Sequence, residues 1–328
     1  MRNISGAAYA ASKYIEIPVR EENTLLEFLL KQMGISRNRA KDLLAGRAVS
    51  VDRKLATRHD TPLHVGEVVR VSRHRQNTML LNKYVKIVYE DKDIIVIEKS
   101  EGILSMASSP KQYCVKNVLD EYFEKRHFKC TAHVVHRLDR ETSGLMIYAK
   151  NIEVAKILED NWHDMVYDRR YVALLCGNME QEGGTIQSWL KESKSFITYS
   201  SPTDNGGKLA ITLYHRLKNN NDFSLVEMKL ETGRKNQIRV HMADLGYPVA
   251  GDQKYGNGRD PIHRLALHAF RLNFIHPITH EEMQFETPIP KEFLKFFNTE
   301  EKEVSDYLAD SRSHLLCFSG CPLRTGEV

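Results

Sequence analysis

The sequence lacks the long apolar runs that would place it in a membrane. Its 328 residues contain no stretch close to the roughly 18 consecutive apolar residues that a spanning helix needs. The start of the chain also lacks the basic, apolar and small-residue regions of a signal peptide. We therefore expect a globular, cytoplasmic protein with no membrane contact, and a hydrophobic content of 41% is sufficient for a packed core.

Cysteine is also scarce, which excludes two further classes of protein. The five cysteines form no CxxC pair, so neither a disulfide framework nor a zinc ribbon is expected. The 14 histidines include no HExxH motif, and the HxxH spacing of His133 and His136 has only Asp139 as a nearby acidic partner. A lone GxG at 256–258 is too little to indicate a nucleotide cofactor. We expect a protein that needs no metal and no cofactor.

Positive charge is concentrated at the N-terminus. Residues 1–81 contain 14 Lys and Arg against 8 Asp and Glu, a net charge of +6, whereas the remaining residues sum to −2. Helical spacing at 25–30, after Thr24, and a second predicted helix at 37–45 are followed by short alternating stretches typical of strands. The second predicted helix carries the basic residues Arg37, Arg39 and Lys41. Such a run is more often a solvated face than a nucleic-acid site, but a compact basic module is also suited to gripping phosphates.

The rest of the chain predicts a larger domain of mixed type. Strand-like stretches flank turn-rich segments such as 219–222, and amphipathic helices are predicted at 115–126, 152–165 and 237–245. Strands and helices do not alternate regularly, which argues against a parallel α/β fold. The predicted fold class is α+β, with a mixed, largely antiparallel sheet flanked by helices and a small N-terminal α/β domain.

The most informative segment is 136–145 (HRLDRETSGL), which sets Asp139 among basic residues in a turn before a buried, strand-like run. A loop of this kind can hold a carboxylate rigidly at the mouth of a pocket. Local chemistry alone favours a plainer interpretation, in which Asp139 pairs with Arg137 or caps Thr142 and Ser143.

Three segments in order along the chain resemble the signature of the RluA-type pseudouridine synthases. They are 136–145, 169–177 (RRYVALLCG) and 231–241 (ETGRKNQIRVH). The resemblance implies a cofactor-free RNA-modifying enzyme with the long mixed sheet of that fold. It also implies the catalytic residues, which are Asp139, Tyr171 and Arg239.

Each of these residues has a role implied by the resemblance. Asp139 would be the nucleophile, attacking either the anomeric carbon or the pyrimidine ring. The ring of Tyr171 would stack on the target base, and its hydroxyl would accept or relay a proton. Arg239 would keep the carboxylate ionised and aimed. Arg137 would fill the space that a flipped uridine leaves in the RNA, and His136 would bind substrate beside it.

Two positions depart from the family pattern. Segment 99–105 resembles a further family motif, but Lys99-Ser100 stands where lysine-proline is usual. Asn236 stands where the third motif usually has histidine. Neither departure touches the predicted catalytic groups, and both bear on which RNA fits.

The basic N-terminal region resembles the S-four-type RNA-binding domain, a basic helix pair beside a small hairpin. In this interpretation Arg37, Arg39 and Lys41 bind RNA, although Asp52-Arg53 replaces the Asn-Gly that such a hairpin turn favours. The predicted organisation is a tail at 1–16, the S-four-type domain at 17–75, a linker at 76–83, the catalytic domain at 84–298 and a second tail at 299–328.

The predicted function is isomerisation of specific uridines in RNA by a monomeric enzyme. Large-subunit ribosomal RNA is favoured as the substrate, with transfer RNA as the alternative. One rival is an RNA-binding protein that has lost catalysis, against which the intact Asp139, Tyr171 and Arg239 argue. A second rival, a metal-dependent RNA hydrolase, lacks a convincing set of ligands.

Overall fold

The computed structural model describes residues 14–45, 48–52, 54–56, 58–72, 82–107, 109 and 112–297. The chain divides into two compact units, one formed by residues 1–81 with 86–96 and the other by residues 82–85 with 97–328. The predicted C-terminal tail, most of the predicted linker and Arg53 lie outside the described residues. Among the helices described, none is long and apolar enough to cross a membrane.

The first unit contains two helices and a small antiparallel sheet. The helices are α1 (Leu25–Met33) and α2 (Arg37–Ala45), as the spacing predicts. The strands are β1 (Tyr14–Pro18), β2 (Asn23–Thr24), β3 (Val49–Val51), β4 (Lys54–Leu55), β5 (Pro62–Leu63) and β6 (Val68–Ser72). Four of them form a sheet in the order β1-β6-β3-β4, and β2 pairs with β5. β1 begins at Tyr14, three residues before the domain boundary predicted at 17.

Helix α1 shows how the sequence sets this unit's core. Leu25, Phe28 and Leu29 recur at helical spacing and are fully buried, so one face of the helix covers the sheet. The helix ends at Gly34, whose φ of 60° brings its N–H to the carbonyl oxygen of Leu30.

A hairpin forms around residues 90–93, from β7 (Val85–Glu90) and β8 (Ile94–Lys99). One carboxylate oxygen of Asp91 accepts the N–H groups of Asp93 and Ile94, both at 2.8 Å. This local side-chain cap closes the turn.

The second unit carries the remaining elements. Its helices are α3 (Val115–Lys125), α4 (Ile152–Asp160), α5 (Trp162–Met165), α6 (Gln237–Asp244) and α7 (Lys291–Leu294). Its strands are β9 (His133–Val134), β10 (Ser143–Ala149), β11 (Asp168–Cys176), β12 (Gly183–Glu192), β13 (Thr198–Ser201), β14 (Lys208–Asn219), β15 (Phe223–Leu230), β16 (Leu267–Ile275) and β17 (Glu282–Glu286).

The sheet of the second unit follows the order β13-β12-β14-β15-β11-β16-β10, and β17 lies beside β16. Neighbouring strands are antiparallel except β10 and β16, which run parallel. The predicted α+β class with a mixed, largely antiparallel sheet is confirmed.

One predicted helix is divided in two. The apolar periodicity from 152 to 165 predicts a single helix, but the structure ends α4 at Asp160 and begins α5 at Trp162. Between them Asn161 leaves helical geometry, with a φ of −116°, and its side-chain amide donates to the carbonyl oxygen of Ile157 at 2.8 Å. Asparagine competes with helix formation through such local bonds. The break matters because Trp162 contacts the candidate site.

Candidate active site

Asp139 lies in a loop whose backbone is held by hydrogen bonds from a buried lysine. The buried ammonium group of Lys99 donates to the carbonyl oxygens of Ser100, Ile103 and Arg140 at 2.9, 2.9 and 3.0 Å. Burial lowers the pKa of Lys99 to about 8, which still leaves it mostly protonated at neutral pH. Three carbonyl groups therefore satisfy one buried cation, and the residue after Asp139 is fixed by it.

The residue before Asp139 is fixed as well. The Ser105 hydroxyl donates to the carbonyl oxygen of Leu138 at 2.8 Å and accepts the Leu138 N–H at 3.1 Å. On the far side of the loop, Gly144 has a φ of 123°, and a Cβ there would lie 2.2 Å from the carbonyl oxygen of Ala269. Only glycine fits where the loop enters β10 beside β16.

His136 anchors the start of the same loop. Its Nε2 accepts the Ile147 N–H at 3.0 Å, and its ring packs on Trp162 with centroids 4.8 Å apart. Burial, with a smaller contribution from the positive charge of Arg169, lowers the pKa of His136 to about 3. The imidazole is therefore neutral and carries its proton on Nδ1. His136 lines the pocket. Its contact with the substrate remains a prediction.

Tyr171 comes to the site from β11. The register between β11 and β16 shifts between Arg170 and Tyr171, a bulge that re-aims the strand at this point. Arg170 is buried in ion pairs with Asp168 and Glu227, whose oxygens lie 2.8 and 2.9 Å away. Tyr171 is 8% exposed and lines the pocket.

Burial raises the pKa of the Tyr171 hydroxyl, an effect that the charge of Arg169 opposes and that of Asp139 reinforces. The phenol is therefore protonated at neutral pH. Its ring can form a wall for a base, and its hydroxyl is in the neutral form at that pH.

Arg239 projects from the first turn of α6 and contacts two carboxylates. Its Nη1 lies 3.4 Å from Oδ2 of Asp139, so the predicted pair is present as a long contact. Its Nε and Nη2 donate to Asp252 at 2.7 and 2.6 Å, a two-pronged and much closer pairing. The sequence interpretation named one partner for Arg239, and the structure adds the stronger one.

The turn that contains Asp252 also supports Arg239. Asp252 also accepts the N–H groups of Lys254 and Tyr255 at 2.8 and 3.0 Å. The Arg239 guanidinium lies over the Tyr255 ring, 5.2 Å from its centroid. The side-chain amide of Asn236 donates to the Tyr255 hydroxyl at 3.0 Å, and its Oδ1 lies 3.4 Å from Nη1 of Arg239.

Asn236 therefore does structural work at the position where histidine is usual in the family motif. It adopts the left-handed backbone conformation, with a φ of 56°, immediately before α6. Asparagine tolerates this conformation better than most residues.

These groups surround a pocket of about 370 Å³, within the usual range for ligand sites. Asp139 is the one carboxylate among its lining residues. The apolar walls include Val135, Leu230, Ile238 and Leu267. The cations that line it are Arg137, Arg169, Arg234, Lys235 and Arg239. A pocket that combines apolar walls with several cations suits a base attached to a phosphate backbone.

The predicted site residues are brought together in part. Asp139, Tyr171, Arg239, Arg137 and His136 all line this pocket, although they come from a loop, a strand and a helix. Arg137 is exposed and makes no hydrogen bond or ion pair within the described residues, so the plainer pairing with Asp139 is absent there.

The sequence interpretation missed four contributors, which are Trp162, Arg169, Arg234 and Asp252. Arg169 and Arg234 stand inside the matched motifs, so their positions carried a signal. Asp252 had only a turn-forming neighbourhood to mark it.

The predicted RNA-binding residues of α2 lie in the first unit. Arg37 and Lys41 are exposed, and Arg37 pairs with Glu27 at 3.1 Å. The side chain of Arg39 lies outside the described part.

Comparisons with known proteins find similar chains among both sequences and solved structures. The family model described as RNA pseudouridylate synthase matches residues 93–244. An uncharacterized RNA pseudouridine synthase of Bacillus subtilis, YjbO, is 34% identical over 278 residues, which cover 82% of this chain and 96% of that protein. Ribosomal large subunit pseudouridine synthase D of Vibrio cholerae is 32% identical over 79% of this chain and 85% of its own length. Among solved structures, human RNA pseudouridylate synthase domain containing 1 is 26% identical, with a TM-score of 0.53 over 64% of this chain and 85% of that one.

Proposed function

The chain belongs to the RNA pseudouridine synthase family and isomerises uridine to pseudouridine in RNA, and from this premise we propose that Asp139 carries the reaction on a uridine of large-subunit ribosomal RNA. The observation that carries the proposal is the meeting of Asp139, Tyr171 and Arg239 in one pocket. Support for the substrate comes from relatives named ribosomal large subunit pseudouridine synthase D.

In the proposed mechanism the uridine leaves its helix and enters the pocket. Flipping costs a few kcal/mol of unstacking, which the exposed and uncommitted Arg137 would offset by filling the gap. The base then lies against the Tyr171 ring and the apolar walls. An apolar enclosure retains the base while it is detached and keeps out the water that would hydrolyse the sugar centre.

Asp139 then attacks either the anomeric carbon or the pyrimidine ring. In the first case a carboxylate oxygen bonds to the sugar while the glycosidic electron pair leaves with the uracil nitrogen. In the second it bonds to the ring, which loosens the same glycosidic bond. Either path ends with the sugar joined to ring carbon C5, which gives up its proton, with N1 carrying a proton in place of the sugar, and with the carboxylate free again.

Arg239 and Tyr171 have supporting parts in this scheme. Arg239 is held by Asp252 and presents one nitrogen to Asp139, which holds that carboxylate in place. Tyr171 is protonated at neutral pH, so its hydroxyl would relay the C5 proton rather than remove it as a phenolate.

The first unit would supply sequence-independent affinity. We propose that residues 17–75 form an S-four-type RNA-binding domain, because two helices stand with a small antiparallel sheet and α2 exposes Arg37 and Lys41. Its contacts would go to phosphates and would weaken with salt. We also propose that the protein acts as a monomer in the cytoplasm.

The substrate is tested by mapping pseudouridines in ribosomal and transfer RNA from cells with and without this gene. We expect the loss of one or a few pseudouridines from large-subunit ribosomal RNA and an unchanged transfer RNA map. Loss confined to transfer RNA would replace the substrate while leaving the reaction. An unchanged map of both RNAs, together with no isomerisation in vitro, would favour an RNA-binding protein.

A further inference from the structure

A second depression, which we call the basic groove, adjoins the candidate active site. It has a volume of about 380 Å³ and lies between the end of β12, the start of β14 and the segment before α6. Gly233, Arg234 and Lys235 line both the groove and the Asp139 pocket. A chain that enters the pocket at one residue can therefore continue into the groove with the next.

The groove is positively charged. Its lining contains the cations Lys191, Lys208, Arg234 and Lys235 and a single carboxylate, that of Glu192. Glu192 is ion-paired with Lys235, so it offers little to a cationic ligand. Lys208 is exposed and makes no hydrogen bond or ion pair within the described residues. The groove is therefore suited to a polyanion.

Arg234 is already oriented at the junction of the two cavities. Its Nε donates to the carbonyl oxygen of Leu209 at 2.8 Å, and its backbone N–H donates to Gln237 at 3.0 Å. Its two terminal nitrogens make no hydrogen bond in the described part of the chain. A guanidinium held at one nitrogen with a free fork loses little freedom on binding a phosphate.

The turn before β14 keeps side chains out of the groove. A Cβ on Gly207 would lie 2.6 Å from the carbonyl oxygen of Leu190, and Gly206 has a φ of 74°. Neither position accepts a larger residue without strain. Lys191 closes this end by donating to the carbonyl oxygen of Asn205 at 3.0 Å. The two glycines therefore leave room for a sugar-phosphate strand to approach the backbone at this turn.

We propose that the basic groove binds the phosphodiester backbone of the RNA strand next to the flipped uridine. Arg234 would hold the phosphate nearest the base, and Lys208 a phosphate further along. The proposal rests on the proposed function, because it takes the reacting nucleotide to lie in the Asp139 pocket. Flipping turns a nucleotide about its own backbone, so the flanking phosphates must lie at the rim of that pocket. The continuity through 233–235 puts the groove at that rim.

The groove would contribute binding rather than chemistry. Its cations other than Arg234 and Lys235 do not line the Asp139 pocket, so losing one of them should weaken RNA capture and leave the bound reaction unchanged. Each lost phosphate contact should reduce the slope of log affinity against log salt by about 0.7 on a single strand.

The test compares Lys208→Met with Lys125→Met. Lys125 is exposed at the end of α3 and lines neither cavity, so it is a matched control for the loss of one positive charge. The first probe is an in vitro transcript of bacterial large-subunit ribosomal RNA tritiated at uridine C5, used in single-turnover reactions over a range of enzyme and salt concentrations. The second probe is a short oligouridylate, whose equilibrium binding is measured over the same range of salt.

We expect Lys208→Met to raise the half-saturating enzyme concentration several-fold, to lower the salt slope by about 0.7 on both probes and to keep the saturating rate. Lys208→Glu should change both quantities further in the same direction. If Lys208→Met gives the same slopes as Lys125→Met, the groove does not bind RNA, even if the transcript is isomerised. If wild type releases no tritium while the oligouridylate slope still falls, the groove stands and the proposed substrate is wrong.

Discussion

Two aspartates share one arginine in this protein, and their surroundings are opposite. The Asp252 side chain is fully buried, and Arg239 donates to it twice, at 2.7 and 2.6 Å. The Asp139 side chain is 24% exposed, and Arg239 reaches it once, at 3.4 Å. The difference separates a carboxylate that is held in place, Asp252, from one that lines the pocket, Asp139.

The chemistry of the two sites follows from this difference. Burial alone would raise the pKa of Asp252, but the hydrogen bonds and charge of Arg239, with the Tyr255 and Lys254 N–H groups, outweigh it and lower that pKa. These donors hold the Asp252 side chain in one position. Asp139, by contrast, has one long contact with Arg239 and lines the pocket. One aspartate holds the arginine, and the arginine in turn steadies the other.

Removing the shared arginine should have the largest effect. Arg239→Met leaves Asp252 as an unpaired buried charge, and breaking such a pair typically costs about 3–5 kcal/mol of unfolding free energy. Urea denaturation measures that loss. The double variant Arg239→Met with Asp252→Leu should recover much of the stability, because no charge is then left alone, while tritium release from RNA stays low. Wild-type activity in the double variant would exclude Arg239 from the reaction.

Replacing Asp252, which holds Arg239, should have a smaller effect than replacing Arg239 itself. Asp252→Asn keeps the shape but loses the charge that holds Arg239, so we expect a 10- to 100-fold lower single-turnover rate with RNA affinity nearly unchanged. Asp222→Asn is the control, because Asp222 pairs with Arg259 at 2.8 Å where both side chains are about half exposed. Exposed pairs contribute little, so this control should match wild type. Equal rates for both variants would remove the positioning role of Asp252.

Two variants of Tyr171, which lines the same pocket as Asp139, separate the role of its hydroxyl from that of its ring. Because burial raises the pKa of this phenol, it is not a ready base, and Tyr171→Phe should cost less than about 10-fold in saturating rate. Tyr171→Ala removes the wall and should cost far more. The measurement is the saturating single-turnover rate of each variant. A Phe variant as slow as the Ala variant would make the hydroxyl essential to proton transfer.

Low pH should destabilise the folded protein through two buried histidines, His136 and His241. Burial lowers the pKa of His136, beside Asp139, to about 3 and that of His241, in the helix of Arg239, to about 4. In the unfolded chain histidine titrates near 6.5, so the unfolded state binds more protons below that pH. Stability is therefore complete above pH about 6.5 and falls as the pH drops toward 4, by about 1 kcal/mol per pH unit for each histidine.

Urea denaturation between pH 8 and pH 4.5 checks this expectation. His241 is held by Ser188 and Thr212, whose hydroxyl oxygens lie 3.0 and 2.9 Å from its ring nitrogens, so His241→Gln keeps polar contacts without the titration. The variant should lose less stability than wild type over this range. An unchanged dependence on pH would mean that His241 is not a buried neutral group.

The sequence predicts the Asp139 side of the site better than the Asp252 side. Asp139, Tyr171 and Arg239 stand inside motifs whose spacing fixes a loop, a strand and a helix, and the structure brings all three to one pocket. Asp252 lies in a turn 13 residues after Arg239, and the two side chains meet by tertiary contact rather than within one element. No local pattern announces such a partner.

The secondary-structure elements likewise divide into features that local sequence predicts and features that it does not. Periodicity predicts α1, α3 and α6, whose faces are set by local spacing. It does not predict the break at Asn161, because the apolar positions continue through it while the side chain bonds to the preceding turn. Nor can periodicity find the bulge at Tyr171, which depends on the neighbouring strand β16.

The most direct test of the account is the product formed by Asp139→Asn. The substituted amide keeps the size of the side chain but cannot act as the nucleophile. With C5-tritiated ribosomal RNA transcript, wild type should release one tritium for each pseudouridine found after digestion to nucleosides, with no free uracil. Asp139→Asn should bind the same RNA within a few-fold of wild-type affinity and form no pseudouridine. Pseudouridine formed by the variant at the wild-type rate would contradict the central role of Asp139.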